Sequence, residues 1–486
     1  MMNMLLETNV RRIARHGATA MLVLAAGCNP SDSLLSANDP DIVKPVDVQT
    51  ADGADAVRLG AMARFRNITA GDNGNGNEST WLFGGLLTDE WGTSSTFVQN
   101  DEVDERSTKL DNSTVTYAFR KLNRVRTAVN QAIPLMVTYR PTELTRLAEL
   151  YLARSFAEMQ LASDFCNGIP FSNAATPDGI VQFGDPLSVD SVFKLAIVSA
   201  DSGIGLATAT DTQTVNILNA LRITKARALL GLNQIAAAGA LTALVPTNFS
   251  YNHTFASASG TNAVWGQPFS GRRYLVGDSL DGNARNILVK NAIPFFSLKD
   301  PRVPADFTIA IKSGKPDTTK SQDGLTLSRT LGKSTTIATG TTVAAMYDQF
   351  TSVTVANGID ARLIDAEAAL TAGAPATMIT ILNTLRATPF TIGTITTPVM
   401  AALVDPGTLI AEQDLLFREK ALWSFSRGQR LGQMRRLIRY YGRLANTVFP
   451  EGTHYRGGTY GADVNLPVPQ EEQNNPQFKG CTDRLP

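Results

Sequence analysis

Asp89 and Glu90 are adjacent carboxylates flanked by Trp81 and Trp91, the stretch with the plainest capacity for chemistry. Two acidic groups can act as acid and nucleophile in glycoside hydrolysis, but they must face one bond from about 5–9 Å apart. Sequence neighbours rarely present that geometry, so the pair reads as capping and hydrogen bonding around a turn. The histidines offer no more. His253 and His454 lie outside the N-terminal segment, and neither sits in the His-Glu-x-x-His spacing of a zinc hydrolase. No Gly-x-Ser-x-Gly elbow occurs, and no phosphate loop ending in Lys-Ser/Thr. The segment Gly71-Asp-Asn-Gly-Asn-Gly-Asn77 puts Gly74 and Gly76 where a calcium loop needs oxygen ligands, so it reads as a surface loop. No catalytic residue, metal or cofactor is expected.

The N-terminus and the cysteines speak to location. Arg11, Arg12 and Arg15 precede a short apolar stretch, Ala18 to Ala26, and then Gly27 and Cys28. That is the basic, apolar, small-residue order of an export signal, here residues 1–27. Ala26-Gly27-Cys28 resembles a bacterial lipobox, with Ala25 where leucine is usual and Leu24 one place further out. Acylation of Cys28 would anchor the chain, each buried methylene contributing ~0.8 kcal/mol. The alternative is a soluble periplasmic protein cut by the ordinary signal peptidase. Residues 28–50 are polar and Pro-containing and read as a tether to a folded body, residues 51–486. No apolar run reaches the ~18 residues of a spanning helix. Cys166 and Cys481 are then an even pair in an exported chain, where disulfides persist, and they are expected to be joined. Basic and acidic residues balance at 44 each, and loss of the signal leaves a small acidic excess, so no nucleic-acid surface is expected.

The elements that must position these residues are mostly helical. Residues 51–70 suit a first helix capped by Asp52, with Ala56, Leu59, Ala63 and Ile68 as its apolar face. Residues 113–137 and 142–164 form a pair broken at Pro141, and 187–207 another helix. Lys225-Ala-Arg-Ala-Leu-Leu230 and Asp365-Ala-Glu-Ala-Ala-Leu370 share alanines and a final leucine, each followed by a turn and a second apolar helix. Such hairpins resemble tetratricopeptide repeats, which stack to bury what one hairpin cannot; two unrelated amphipathic hairpins remain the alternative. Helical hairpins thus occupy about 113–245 and 359–442. Between them, residues 248–356 are rich in Gly, Ser, Thr, Asn and Asp with short alternating runs, and read as loops and small strands. Gly428 divides the helical region 406–442, and the tail from Pro450 is extended.

An ordered series of short motifs resembles the SusD/RagB family of outer-membrane nutrient-binding lipoproteins. It runs from Asn38-Asp-Pro-Asp41 through Leu86-Leu-Thr-Asp-Glu90, Tyr117-Ala-Phe-Arg-Lys-Leu-Asn-Arg124 and Cys166-Asn-Gly-Ile-Pro-Phe-Ser172. Asp300-Pro-Arg302, Ala361-Arg-Leu-Ile-Asp-Ala-Glu-Ala368 and Leu382-Asn-Thr-Leu-Arg-Ala387 follow. Phe417-Arg-Glu-Lys-Ala-Leu-Trp423, Gly428-Gln-Arg-Leu-Gly432 and Leu466-Pro-Val-Pro-Gln-Glu-Glu-Gln-Asn-Asn-Pro476 complete it. Gln433 departs from the pattern, which has an acidic residue there. The resemblance implies a mostly α fold: a right-handed stack of tetratricopeptide-like hairpins carrying an irregular, short-stranded ligand-binding region. It also implies an outer-membrane location, a SusC-type TonB-dependent transporter as partner, and a glycan or peptide as ligand. A secreted polysaccharide hydrolase and a helical scaffold for protein partners are the other readings.

Within that frame, aromatics on loops are the binding candidates. A sugar has an apolar C–H face that stacks on an aromatic ring, and a rim of hydroxyls that polar side chains serve. Trp91, Trp265 and Tyr274 are therefore expected to contact ligand, on the irregular side of the stack. Trp423, at helical spacing with core residues, is expected to pack, and Arg272-Arg273 to be a solvated pair.

Overall fold

Thr50 starts the first helix, not Asp52: its hydroxyl accepts the Gly53 amide at 3.0 Å. In this computed structural model, residues 48–486 are described apart from 72–78, 174–179, 259, 282–286, 308, 313–314, 338–339, 346–347 and 394. The export signal, Cys28, nearly all of the tether and the Asp72–Asn77 loop lie outside the described residues. Helix α1 (Ala51–Ala70) buries Ala54, Ala61, Phe65 and Ile68. The expected face is turned, because the one large aromatic, Phe65, goes inward and leaves Leu59 59% exposed.

Helices α2 (Thr80–Leu86) and α3 (Val98–Asp104) are short. The long helices follow: α4 (Ser113–Tyr139), α5 (Leu144–Asp164), α6 (Val189–Leu206), α7 (Thr212–Gly231) and α8 (Ile235–Thr242). After the insertion come α9 (Gly358–Thr371), α10 (Pro375–Ala387), α11 (Leu409–Trp423) and α12 (Arg430–Tyr441). The long helices lie side by side in the order α1, α4, α5, α6, α7, α8, α9, α10, and α8 and α9 are neighbours although the whole insertion separates them in sequence. Ala148, Ala153 and Ala157 are fully buried where α5 meets its neighbours. The two Ala-x-Ala hairpins, α7–α8 and α9–α10, are direct neighbours through α8 and α9. The approach is close enough that a Cβ on Gly239 would lie 2.7 Å from that of Ala368. Ala226, Leu230, Ile235, Ala238 and Ile364 fill that seam. The fold is thus mostly α, a stack of helix hairpins with an irregular insertion.

Four short strands fasten the insertion: β1 (Trp91–Thr93), β2 (Ser250–His253), β3 (Tyr274–Val276) and β4 (Val353–Asn357). β4 pairs antiparallel with β2, closing the neck through which the chain leaves and re-enters the stack. β3 pairs antiparallel with β1, Trp91 opposite Val276 and Thr93 opposite Tyr274. The C-terminal tail returns to the end of α5: Leu466 N–H donates to Asp164 O at 2.8 Å, and Cys166 N–H to Leu466 O at 2.9 Å. A disulfide joins Cys166 to Cys481, their Cα atoms 5.7 Å apart across 315 residues.

Buried ion pairs tie these pieces together. Arg427 grips Asp360 with two hydrogen bonds of 2.9 and 2.6 Å. Glu419 accepts from Arg302 at 2.6 and 3.1 Å and from Arg386 at 2.9 Å. Glu367 takes Lys420, Arg436 and the Tyr441 hydroxyl, and these cations hold its carboxyl well below the usual range despite burial. Gly428, at φ +63°, divides α11 from α12 where the Trp81 ring presses so close that a Cβ would meet it at 2.1 Å.

Candidate ligand-binding face

The Asp89–Glu90 turn points into the protein. Arg430 binds Asp89 bidentately at 2.7 and 2.9 Å, and Ile293 N–H donates to the same carboxylate at 2.8 Å. Glu90 is fully buried; burial pushes its carboxyl up to about 8, although Arg430 and the Ser426 amide at 3.2 Å pull the other way. The turn joins α2 and β1 to α12 and leaves no carboxylate facing a cleft. Trp81 packs beside it, 0% exposed.

Two of the three expected ligand residues are core residues. Trp91 is 1% exposed and Tyr274 0%; their rings meet edge to face at 6.2 Å, and Trp91 also lies 5.2 Å from Phe425. The reason is the β1–β3 pairing, which turns both rings inward from facing strands. Trp265 is half-buried, packed against the core with Phe269 at 6.3 Å, and keeps an accessible edge. Trp423 packs as expected, with Arg302 over its ring at 5.1 Å.

After β1, Ser94 and Ser95 stay buried and the chain reaches the surface at Thr96. Ser94 N–H donates to Arg273 O at 2.9 Å, Ser94 Oγ to Arg272 O at 2.9 Å, and Asp323 N–H to Ser94 O at 3.1 Å. Gln322 N–H donates to Arg272 O at 3.1 Å, so three loops are laced by their backbones. Arg456, from the tail, clamps them: its Nη2 donates to Ser95 O at 2.8 Å and to Asp323 at 2.9 Å, its Nη1 to Asp101 at 3.1 Å. On this frame Phe97 is 38% exposed, and the Arg273 guanidinium lies 4.2 Å from its ring centroid. Val98, the first residue of α3, and Leu325, on the loop that carries Asp323, are exposed. The turn that begins at Trp265 joins directly, since Gln267 O accepts Arg273 N–H at 3.0 Å. Arg272 and Arg273 are half-buried partners of this frame, not a solvated pair.

Phe97 is the residue that sequence reasoning missed. The signal was present: a polar Thr93-Ser-Ser-Thr96 run ends in Phe97-Val98, two apolar residues with no helical or strand partner in sequence. The histidines stay structural. His253 shares a hydrogen with Thr69 at 2.7 Å and is held down to about 3 by burial. His454 is fully buried between Asp104 at 3.4 Å and Glu105 at 3.6 Å, which raise it against the cost of burial. Among the described residues no group of His, Cys, Asp and Glu is arranged to hold a metal, and no helix is long and apolar enough to cross a membrane. The face presents a pinned, partly exposed aromatic ring, two half-buried arginines and the exposed Thr96.

No protein-family model matches the chain, and no curated protein matches it. Solved structures do. A SusD superfamily protein from Bacteroides vulgatus is 14% identical, with 90% of this chain and 99% of that one covered at a TM-score of 0.59. A SusD-like carbohydrate binding protein from Bacteroides fragilis is 12% identical, with 89% and 99% covered at 0.58. The surface glycan-binding protein A of Bacteroides uniformis is 14% identical, with 88% and 99% covered at 0.57. At such identities the likeness is one of architecture, and over nearly its whole length this chain has the SusD-like fold.

Proposed function

We propose that this chain is a lipid-anchored outer-membrane protein that captures glycans and passes them to a SusC-type TonB-dependent transporter. The observation that carries the binding role is the Phe97–Arg273 platform, an exposed ring braced by a cation at 4.2 Å and joined by backbone hydrogen bonds to the Trp265 turn. A ring of this kind covers the C–H face of a sugar, while Arg272 and the exposed Thr96 serve its rim. The solved structures named as carbohydrate-binding and surface glycan-binding support the same ligand class. A hydrolase would need two carboxylates facing one bond, and Asp89–Glu90 is committed to Arg430 and the core. The lipid anchor rests on Ala26-Gly27-Cys28, and the transporter on the motif series.

Calorimetry of the mature protein against a panel of polysaccharides and peptides tests the binding role. Heat from a glycan and no product release supports it; turnover, or retention of peptides alone, overturns it. Cys28→Ser should move the protein from the membrane fraction to the soluble one, and a mutant still membrane-bound would remove the anchor. Co-purification with a TonB-dependent transporter in mild detergent tests the delivery role.

A further inference from the structure

A cavity of about 60 Å³ lies inside the helical stack where α5, α7, α9 and α12 meet. Its charged lining is lopsided: Arg227, Lys420, Arg435, Arg436 and Arg439 face one carboxylate, Asp360. Most of this charge is committed. Lys420 and Arg436 hold Glu367, Arg439 reaches Asp190 at 2.7 Å, and Asp360 is taken by Arg427. Two guanidiniums are left over. Arg435 is 3% exposed; its Nη1 donates to Ala162 O at 3.0 Å and Ser163 O at 2.6 Å, while its Nε and Nη2 find no protein acceptor. Arg227, half-buried, lies 5.6 Å over the Phe156 ring, with Asp360 and Asp164 as its nearby opposite charges. Burial holds both arginines down to about 10. The nearby carboxyl, Asp164, accepts from Gln160 at 2.8 Å and is pushed up to about 7 by burial, so a single partly ionised carboxyl stands against two guanidiniums.

Buried cations left without a counter-charge destabilise a core, and an anion in the space between them removes that cost. The guanidinium fork matches the oxygens of phosphate or sulfate. One water needs about 10–15 Å³ of such space, so the cavity admits on the order of four or five water-sized groups, the size of one tetrahedral anion. We propose that this cavity binds one small inorganic oxyanion, phosphate or sulfate, held by Arg435 and Arg227. Gln433 lines the same space, its Nε2 donating to Ser424 Oγ at 3.2 Å. The anion would then be a fastener of the hairpin junction, separate from the glycan face.

Equilibrium dialysis of the mature protein against radiolabelled phosphate, at ionic strength fixed with sodium chloride, is the direct test. The expected result is one phosphate per chain, displaced by sulfate and not by equal chloride. Gln433→Glu places a carboxylate in the cavity and should weaken phosphate binding at least tenfold. Excluded salts raise melting temperatures in general, so the thermal readout is the difference: phosphate should raise the wild-type melting temperature more than that of Q433E. Absence of bound phosphate at millimolar concentration, or displacement by chloride as readily as by sulfate, overturns the site even if Q433E fails to fold. Phe97→Ala should leave phosphate binding unchanged, which keeps this test independent of the glycan-binding reading.

Discussion

The hairpin junction and the irregular face handle charge in opposite ways. At the junction Asp360, Glu367, Glu419, Arg302 and Arg427 are each less than a tenth exposed and meet in multiple short hydrogen bonds. On the face, Arg273 and Arg456 are half-buried, and loops held by backbone hydrogen bonds carry Phe97 and Leu325 into solvent. The buried charged residues in the motifs that carry the family resemblance belong to the first region, whereas Arg124, Arg418 and Glu471 of the same motifs are exposed. Asp89 meets Arg430, Arg302 and Arg386 meet Glu419, and Glu367 meets Lys420. Those motifs are a set of mates that fix where hairpins cross, because a buried charge needs one particular partner at one particular place. The irregular face has the Arg456 clamp on Asp323 and Asp101 but is otherwise laced by backbone hydrogen bonds, which constrain its exposed side chains less. A fold can therefore be recognised from motifs that say nothing about what is bound.

Glu367→Ala tests the first half of this contrast most severely. It leaves Lys420 and Arg436 buried without their anion, and the expected loss is about 3–5 kcal/mol, read as a lower urea midpoint. A loss under ~1 kcal/mol would show that the junction is not held by its ion pairs. Trp91→Ala comes next. Removing a fully buried indole should cost about 3–5 kcal/mol, with glycan affinity unchanged in whatever protein remains folded. Lost affinity at normal stability would return Trp91 to the binding face.

Those two residues also show what was legible in the sequence. The helices were, because Leu147, Leu152, Phe156 and Met159 recur at helical spacing and Pro141 and Gly428 punctuate them. Local chemistry resolved less: Thr50 and Asp52 are both good caps, and only the final geometry selects Thr50. The site was least legible. Whether Trp91 and Tyr274 face ligand or core depends on a pairing between strands 183 residues apart, Trp91 to Tyr274, and nothing in the neighbourhood of either residue encodes it. Both sit among loop-like residues, the context that also surrounds the exposed Phe97.

Glu90→Gln probes the seam between the two regions by pH. Burial keeps a proton on Glu90 up to about 8, whereas the unfolded chain releases it near the ordinary glutamate value of about 4.3. The native state then binds more protons, so this contribution to stability is full below the unfolded value and is lost as pH rises through 8. Asp164, raised to about 7, acts in the same direction, and His253, held down to about 3, acts in the opposite one below about 6.5. The wild-type-minus-E90Q difference isolates the glutamate. Measured by urea unfolding from pH 5 to 8, it should fall by up to ~1.4 kcal/mol per pH unit. A flat difference would mean that Glu90 is ionised in the folded protein.

Phe97→Ala should have the smallest effect on stability and a clear effect on binding. The ring is 38% exposed, and the Arg273 guanidinium lies 4.2 Å from its centroid. An exposed cation–π pair is worth about 0.5–1 kcal/mol, so the melting temperature should drop by no more than a few degrees. A sugar stacked on the ring loses about 1–2 kcal/mol when the ring is removed, close to tenfold in affinity by calorimetry. Phe97→Trp keeps a stacking face and should keep or raise affinity, which separates stacking from mere filling of space. Trp265→Ala should weaken binding less, since much of that ring is already spent on Phe269 and the core. If F97A binds glycan as tightly as wild type while W265A does not, the contact centres on the Trp265 turn. If both bind as wild type, the glycan is held somewhere other than this face.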